Sequence, residues 1–138
     1  MNYKECFDKL FEYVKKEDYI GYDLFDGLNS KLFKNTFLYK SSFFRLCLIQ
    51  FCKHSPINFR KLLLVEKSFN PKGGALFLLG LLNMYQKTRE EIYKTEAEKI
   101  FDRLKNCAIK REKGIGFGYN FDWQARAFFV PIGTPNVV

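Results

Sequence analysis

The chain has 138 residues, with 23 Lys+Arg against 15 Asp+Glu, one His, four Cys and a net charge of +8. That length fits one domain with its own core, so neither a disulfide framework nor a metal staple is required. With 28% charged residues, nine Gly and four Pro, disordered and collagen-like chains are excluded.

The first element is a helix. Cys6, Phe7, Leu10, Phe11 and Val14 fall at helical spacing, with Lys9, Glu12, Lys15 and Lys16 on the other side. Gly21 marks its end, and a loop over 19–30 follows. A second helix spans Ser42 to Lys53 and is apolar on most sides, the pattern of a helix buried between neighbours. Ser55-Pro56 closes it, because the residue before proline avoids the helical region. A short helix from Asn58, its N-cap, to Val65 comes next. The run from Asn70 to Gly74 is turn chemistry, and a third long helix occupies Ala75 to about Gln86. A fourth runs from Thr88 or Thr95 to Lys110, with Ala97, Ile100, Phe101, Leu104 and Ala108 on one stripe.

The segment from Gly114 to Asn136 concentrates glycine, aromatic and polar side chains, and shows neither strand alternation nor a helical stripe. Irregular stretches of that length usually carry function. Thr134-Pro135 reads as an N-cap and first helical residue opening a further apolar segment at Val137-Val138, as if a longer chain continued there. The fold class is therefore all-α, a set of antiparallel helical hairpins. If successive helices alternate in direction, the loops at 18–30, 67–74 and 112–131 share one end. That places Asp23, Asp26, Asn29, Asn70, Lys72, Asp122, Gln124 and Arg126 on one face.

The basic residues are scattered as Lys15-Lys16, Lys31, Lys34, Lys40, Arg60-Lys61 and Lys110-Arg111. Such spacing describes a solvated helical surface rather than a nucleic-acid footprint. The four cysteines lack paired C-x-x-C spacing, so no zinc site is indicated. Cys6, Cys47 and Cys107 sit in apolar helical patterns and read as buried reduced thiols, which favours the cytoplasm. The N-terminus mixes charges throughout and is no secretory signal. The longest apolar run, Ala75–Leu82, is far short of the roughly 20 residues that cross a bilayer.

Gly114-x-Gly116-x-Gly118 follows a helix and lacks dinucleotide spacing, so it reads as a tight helix exit. Asp23 and Asp26 can hold a ligand or cap local turns. His54 satisfies carbonyls at a helix end. The strongest site candidate is Asp122-Trp123-Gln124 with Arg126. A Trp or Tyr face stacks on a sugar ring, while Asp, Gln and Arg hydrogen-bond hydroxyls or carboxylates. Asp122 is the candidate general acid or base, with Asp23 or Asp26 as the second carboxylate that a glycosidase needs. The competing reading makes Phe121, Trp123 and Phe128 core anchors and pairs Arg126 with Asp122.

The segment Phe117-Gly-Tyr-Asn-Phe-Asp-Trp-Gln-Ala-Arg-Ala-Phe-Phe-Val-Pro-Ile-Gly-Thr-Pro-Asn136 resembles the start of bacterial α/α-toroid proteins. These six-hairpin, glycosidase-like proteins are associated with surface polysaccharide loci and carry W-G-Y-x-F-x-W-Q-x-R ahead of an aromatic run. Gly21-Tyr-Asp-Leu-Phe-Asp-Gly-Leu-Asn-Ser30 and Lys72-Gly-Gly-Ala-Leu also match, and Phe117 stands where the family has Trp. The resemblance implies an incomplete α/α toroid, the N-terminal part of a larger protein that binds or processes carbohydrate in polysaccharide biosynthesis. Its partners would be an oligosaccharide or polysaccharide precursor and other proteins of the pathway, with no cofactor. Asp122 would be the catalytic group, with Tyr119, Trp123, Gln124, Arg126, Asp23 and Asp26 contacting the glycan. A non-enzymatic helical scaffold in the same pathway is the alternative.

Overall fold

The computed structural model describes residues 3–135. Its α-helices are α1 (Tyr3–Lys16), α2 (Lys31–Lys34), α3 (Ser42–His54), α4 (Pro71–Thr88) and α5 (Glu91–Cys107). Two 3-10 turns, Asp26–Asn29 and Phe37–Lys40, flank α2. The strands are β1 (Ile109–Arg111), β2 (Gly114–Gly116), β3 (Trp123–Gln124) and β4 (Phe129–Val130). They form two antiparallel ribbons, β1 with β2 and β3 with β4.

The ribbons correct the all-α expectation: this is a mixed fold, helical in its larger part with two small sheets, not a purely helical toroid. The cause lies in the turns. Residues Glu112 and Lys113 link β1 to β2, and Gly114 takes a φ of 150°, a conformation that side chains with a Cβ rarely adopt. Lys110 and Arg111, expected in the last helical turn, therefore lie in β1, and α5 stops at Cys107.

Helices α1, α4 and α5 build the main core. Phe11 and Val14 of α1 meet Leu81 of α4 and Tyr93, Ala97, Ile100 and Leu104 of α5. The α5 stripe read from the sequence is thus buried at Ala97, Ile100 and Leu104, while Phe101 is exposed. Helix α1 ends at Lys16, shortly ahead of Gly21, with Asp18 and Tyr19 both at positive φ. Asp18 is anchored there by ion pairs to Lys99 and Arg103 of α5. Gly21 instead forms an antiparallel bridge with Ser68.

A second packing centre forms around α3, where Ile49 and Cys52 are buried, as is Leu28 of the neighbouring 3-10 turn. Gly27 lies against Cys52: a Cβ added there would stand 2.9 Å from Sγ. The expected burial of α3 and α4 on most sides is not observed. Phe43, Phe44 and Phe51 of α3, and Leu76, Leu79 and Leu82 of α4, are exposed. Cys6 and Cys47 are also exposed, Cys107 is half-buried and Cys52 is the buried thiol; all four are free.

Residues 58–65 do not make the expected helix. Asn58 Oδ1 accepts from the Arg60 N–H at 3.1 Å, and a turn ends with Leu64 at φ 53°. Asn70, in contrast, is a true N-cap: its Oδ1 accepts from the N–H groups of Lys72 and Gly73 at 3.0 and 3.4 Å, with Pro71 at the first helical position. Pro135 pairs with Gly118 in an isolated bridge. The apolar segment expected at Val137-Val138 lies outside the described residues. Among the described residues no helix is long and apolar enough to cross a membrane.

Candidate functional site

The loops after α1, before α4 and after β2 converge although the short helix that was to orient them is absent. Asn70 Nδ2 donates to Asp23 Oδ2 at 3.0 Å. Asn29 Nδ2 donates to the Asn120 carbonyl at 3.0 Å, and Asn120 Nδ2 to Ser68 Oγ at 2.5 Å. Arg60 does the work expected of a helix. Its Nε donates to Asp26 Oδ1 at 2.6 Å and its Nη2 to the Asp23 carbonyl at 2.7 Å, tying the 58–65 turn to the 19–30 loop.

This junction leaves a cleft of about 400 Å³, walled by Tyr22, Asp23, Asn70, Lys72, Tyr119, Phe121 and Trp123. The volume is that of a small-ligand site. Tyr119 stacks on Phe121 with centroids 5.0 Å apart, and Trp123 meets Tyr119 edge-on at 5.9 Å. Trp123 is half-buried, so part of the indole stays open to a ligand. Tyr22 is steadied from behind by the Arg60 guanidinium, 5.8 Å from its ring centroid. Asp23 accepts from the Phe25 N–H through Oδ1 and from Asn70 through Oδ2. A carboxylate has about four lone-pair sites, so these two bonds leave capacity for a ligand hydroxyl.

Of the residues singled out in the sequence, Asp23, Asn70, Lys72, Tyr119 and Trp123 line this cleft together. Asp26 does not: it is buried against Arg60, and its Oδ2 accepts from the Asp23 N–H at 3.0 Å. Burial raises the Asp26 carboxyl above its ordinary value, and the Arg60 guanidinium offsets only part of that rise.

Asp122 is also placed in the scaffold rather than in the cleft wall. Its Oδ2 receives the Tyr39 hydroxyl at 2.7 Å and lies 2.8 Å from Lys34 Nζ, while Oδ1 accepts from the Ile132 N–H at 2.8 Å. Burial works to raise its carboxyl, but Lys34, the Ile132 N–H and Tyr39 outweigh it and hold the group below the usual carboxylate range. The expected Arg126 partnership is replaced by Lys34; Arg126 is exposed on the β3–β4 turn. Gln124 is buried and fully engaged, accepting from Arg45 Nε at 2.8 Å and donating to the carbonyls of Ala125 and Phe128.

Tyr22 and Phe121 belong to the cleft and went unassigned in the sequence as ligand contacts. An aromatic inside a Gly-Tyr-Asp loop is the signal that marks Tyr22, since such a side chain has no helical face to bury. Among the described residues no group of three or more His, Cys, Asp or Glu gathers to hold a metal ion. Comparison of the chain with protein-family models, with curated proteins and with solved structures found no match.

The arrangement offers aromatic faces, one carboxylate, one amide and the exposed ammonium of Lys72. It can hold a polar ligand that has an apolar face. Acid–base hydrolysis of a glycoside needs a pair of carboxyl groups flanking the bond, and Asp23 is the one carboxylate on this wall.

Proposed function

We propose that the chain binds carbohydrate in the cleft between Tyr22, Asp23, Tyr119 and Trp123, as part of bacterial surface polysaccharide assembly or modification. The observation that carries this reading is the convergence of aromatic faces with a carboxylate and an amide on one wall. Sugar rings present a C–H face that packs on an indole or phenol, and hydroxyls that need directed acceptors and donors. Binding is favoured over hydrolysis because Asp122 and Asp26 spend their oxygens on the scaffold. Trp123 is the single tryptophan of the sequence, so its emission reports on this cleft directly. Titration with a panel of neutral and N-acetylated saccharides should shift that emission saturably, and Trp123→Leu should remove binding while leaving the helical circular dichroism intact. A panel with no binder, or undiminished affinity in Trp123→Leu, overturns the proposal.

A specific observation also favours the scaffold reading. The chain exposes 9734 Å², against about 7,500 Å² for a compact monomer of its mass. The excess is comparable to what one partner buries in an obligate interface. Exposed apolar side chains on α3 and α4, among them Phe43, Phe51, Leu76 and Leu79, contribute to it. A pathway protein retained by the immobilised chain, and released by Leu76→Glu with Leu79→Glu, supports this reading. Retention unaffected by both substitutions counts against it.

A further inference from the structure

We infer that the ligand is an oligosaccharide of at least two sugar units, the second of which is neutral or N-acetylated and lies on the α1 side of Asp23. The inference rests on the carbohydrate reading of the cleft and extends it. A second hollow of about 440 Å³ adjoins the cleft and shares Tyr22, Asp23 and Asn70 with it. The Asp23–Asn70 hydrogen bond is therefore a ridge between two recesses, each of small-ligand size. Each has room for a sugar ring, and a glycosidically linked second ring crosses the ridge from one into the other.

The chemistry of the second hollow restricts what enters it. The buried Oδ1 of Asn120, a residue of its wall, has no hydrogen-bond partner among the described residues. The other half of that amide is committed to Ser68, which fixes the side chain behind the wall of the hollow. The wall carries the carboxylates of Glu17 and Asp23 and the phenol of Tyr13, but no Lys or Arg. Glu17 is paired to Lys67, whereas Asp23 has no ion-pair partner among the described residues. An acidic sugar would set its carboxylate against Asp23, whereas a neutral or N-acetylated ring supplies a hydroxyl or acetamido N–H donor to it. Tyr13, largely exposed on α1, offers the outer rim for stacking.

The test compares matched mono- and disaccharides by Trp123 fluorescence and calorimetry on the full chain. The probes are glucose, N-acetylglucosamine and galacturonic acid, each beside its linked dimer. The neutral and N-acetylated dimers should bind at least tenfold more tightly than their monomers, and the digalacturonate should show no such gain. Tyr13→Ala, an exposed substitution that disturbs no core contact, should reduce the chain-length gain severalfold. Equal affinity of monomer and dimer overturns the inference while leaving the carbohydrate reading in place. A gain with the acidic dimer overturns the charge argument. Binding by none of these sugars removes both the inference and the reading beneath it.

Discussion

The Tyr39 hydroxyl donates to Asp122 Oδ2 at 2.7 Å, joining the 3-10 turn before α3 to the segment that leads into β3. Lys34 and the Ile132 N–H complete the shell of the same carboxylate. Removing it empties a buried site and takes away the acceptor of the half-buried Tyr39 phenol, the partner of Lys34 and the acceptor of the Ile132 N–H at once. Asp122→Ala should therefore destabilise the chain by about 2–4 kcal/mol, in the range for breaking a buried, charge-assisted network. Chemical denaturation monitored by circular dichroism gives the number. A loss below about 0.5 kcal/mol, the scatter of ordinary surface changes, would show that the shell is not structural.

The same carboxylate contributes to the acid limb of stability, beside Asp18 and Glu17, which Lys99 with Arg103 and Lys67 also hold below the ordinary value. The folded value of Asp122 lies below the ordinary 3.8, so its contribution is complete above the unfolded value and is lost as pH falls through the folded one. Thermal melts should drop steeply below about pH 4, and Asp122→Asn should flatten that limb while lowering the plateau at neutral pH. Asp26 acts with the opposite sign. Its raised value makes the folded state bind a proton more readily, so acidification relieves part of its burial cost. An acid limb unchanged in Asp122→Asn would assign the loss to other groups.

Much of the helical layout was legible because it depends on local sequence alone. Proline at 56 stops α3, and the Ala97–Ile100–Leu104 stripe buries α5. The start of α4 is encoded by Asn70-Pro71, an N-cap and first-turn proline, but Gly73 and Gly74 give the same stretch the composition of a turn, so the helix begins four residues ahead of the expected Ala75. Gly74 tolerates the helix because Phe69 packs onto its bare Cα, and an added Cβ would stand 2.2 Å from that ring. What sequence could not supply was partnership across the chain. Arg60 with Asp26, Lys34 with Asp122 and Arg45 with Gln124 join residues far apart in sequence, and no periodicity encodes them. For that reason the Asp122-Trp-Gln triplet, contiguous in sequence, divides in space into one cleft residue and two scaffold residues.

Arg45 is the clearest of these cross-chain ties. Its Nε donates to Gln124 Oε1 at 2.8 Å, its Nη1 to the Tyr39 carbonyl at 2.7 Å, and its guanidinium lies 4.5 Å from the Phe129 ring centroid. Arg45→Ala should cost about 2–4 kcal/mol, because charged hydrogen bonds and a cation–π contact are lost together. Arg45→Lys should recover little of it, since an ammonium cannot serve two acceptors and a ring face from one plane. Full rescue by lysine would reduce the site to its charge. The nuclear magnetic resonance shifts of Gln124 and Trp123 would follow the loss, because both lie on β3.

The exposed side of α4 makes the last prediction. Leu76 and Leu79 are 65% and 58% exposed and sit one helical turn apart on a helix that is otherwise held by α5. Burying each in a partner would stabilise the assembly by about 1.5–3 kcal/mol relative to leaving it in water. The isolated native chain should accordingly bind an anilinonaphthalene dye and associate at high concentration. Replacing both leucines by glutamate removes exposed apolar area while leaving every buried member of the Phe11–Ile100 core in place, so dye binding should fall severalfold while the melting temperature stays within a few degrees. A sharp fall in melting temperature instead would place these leucines in the folding core of the monomer, and the exposed stripe would cease to be a candidate interface.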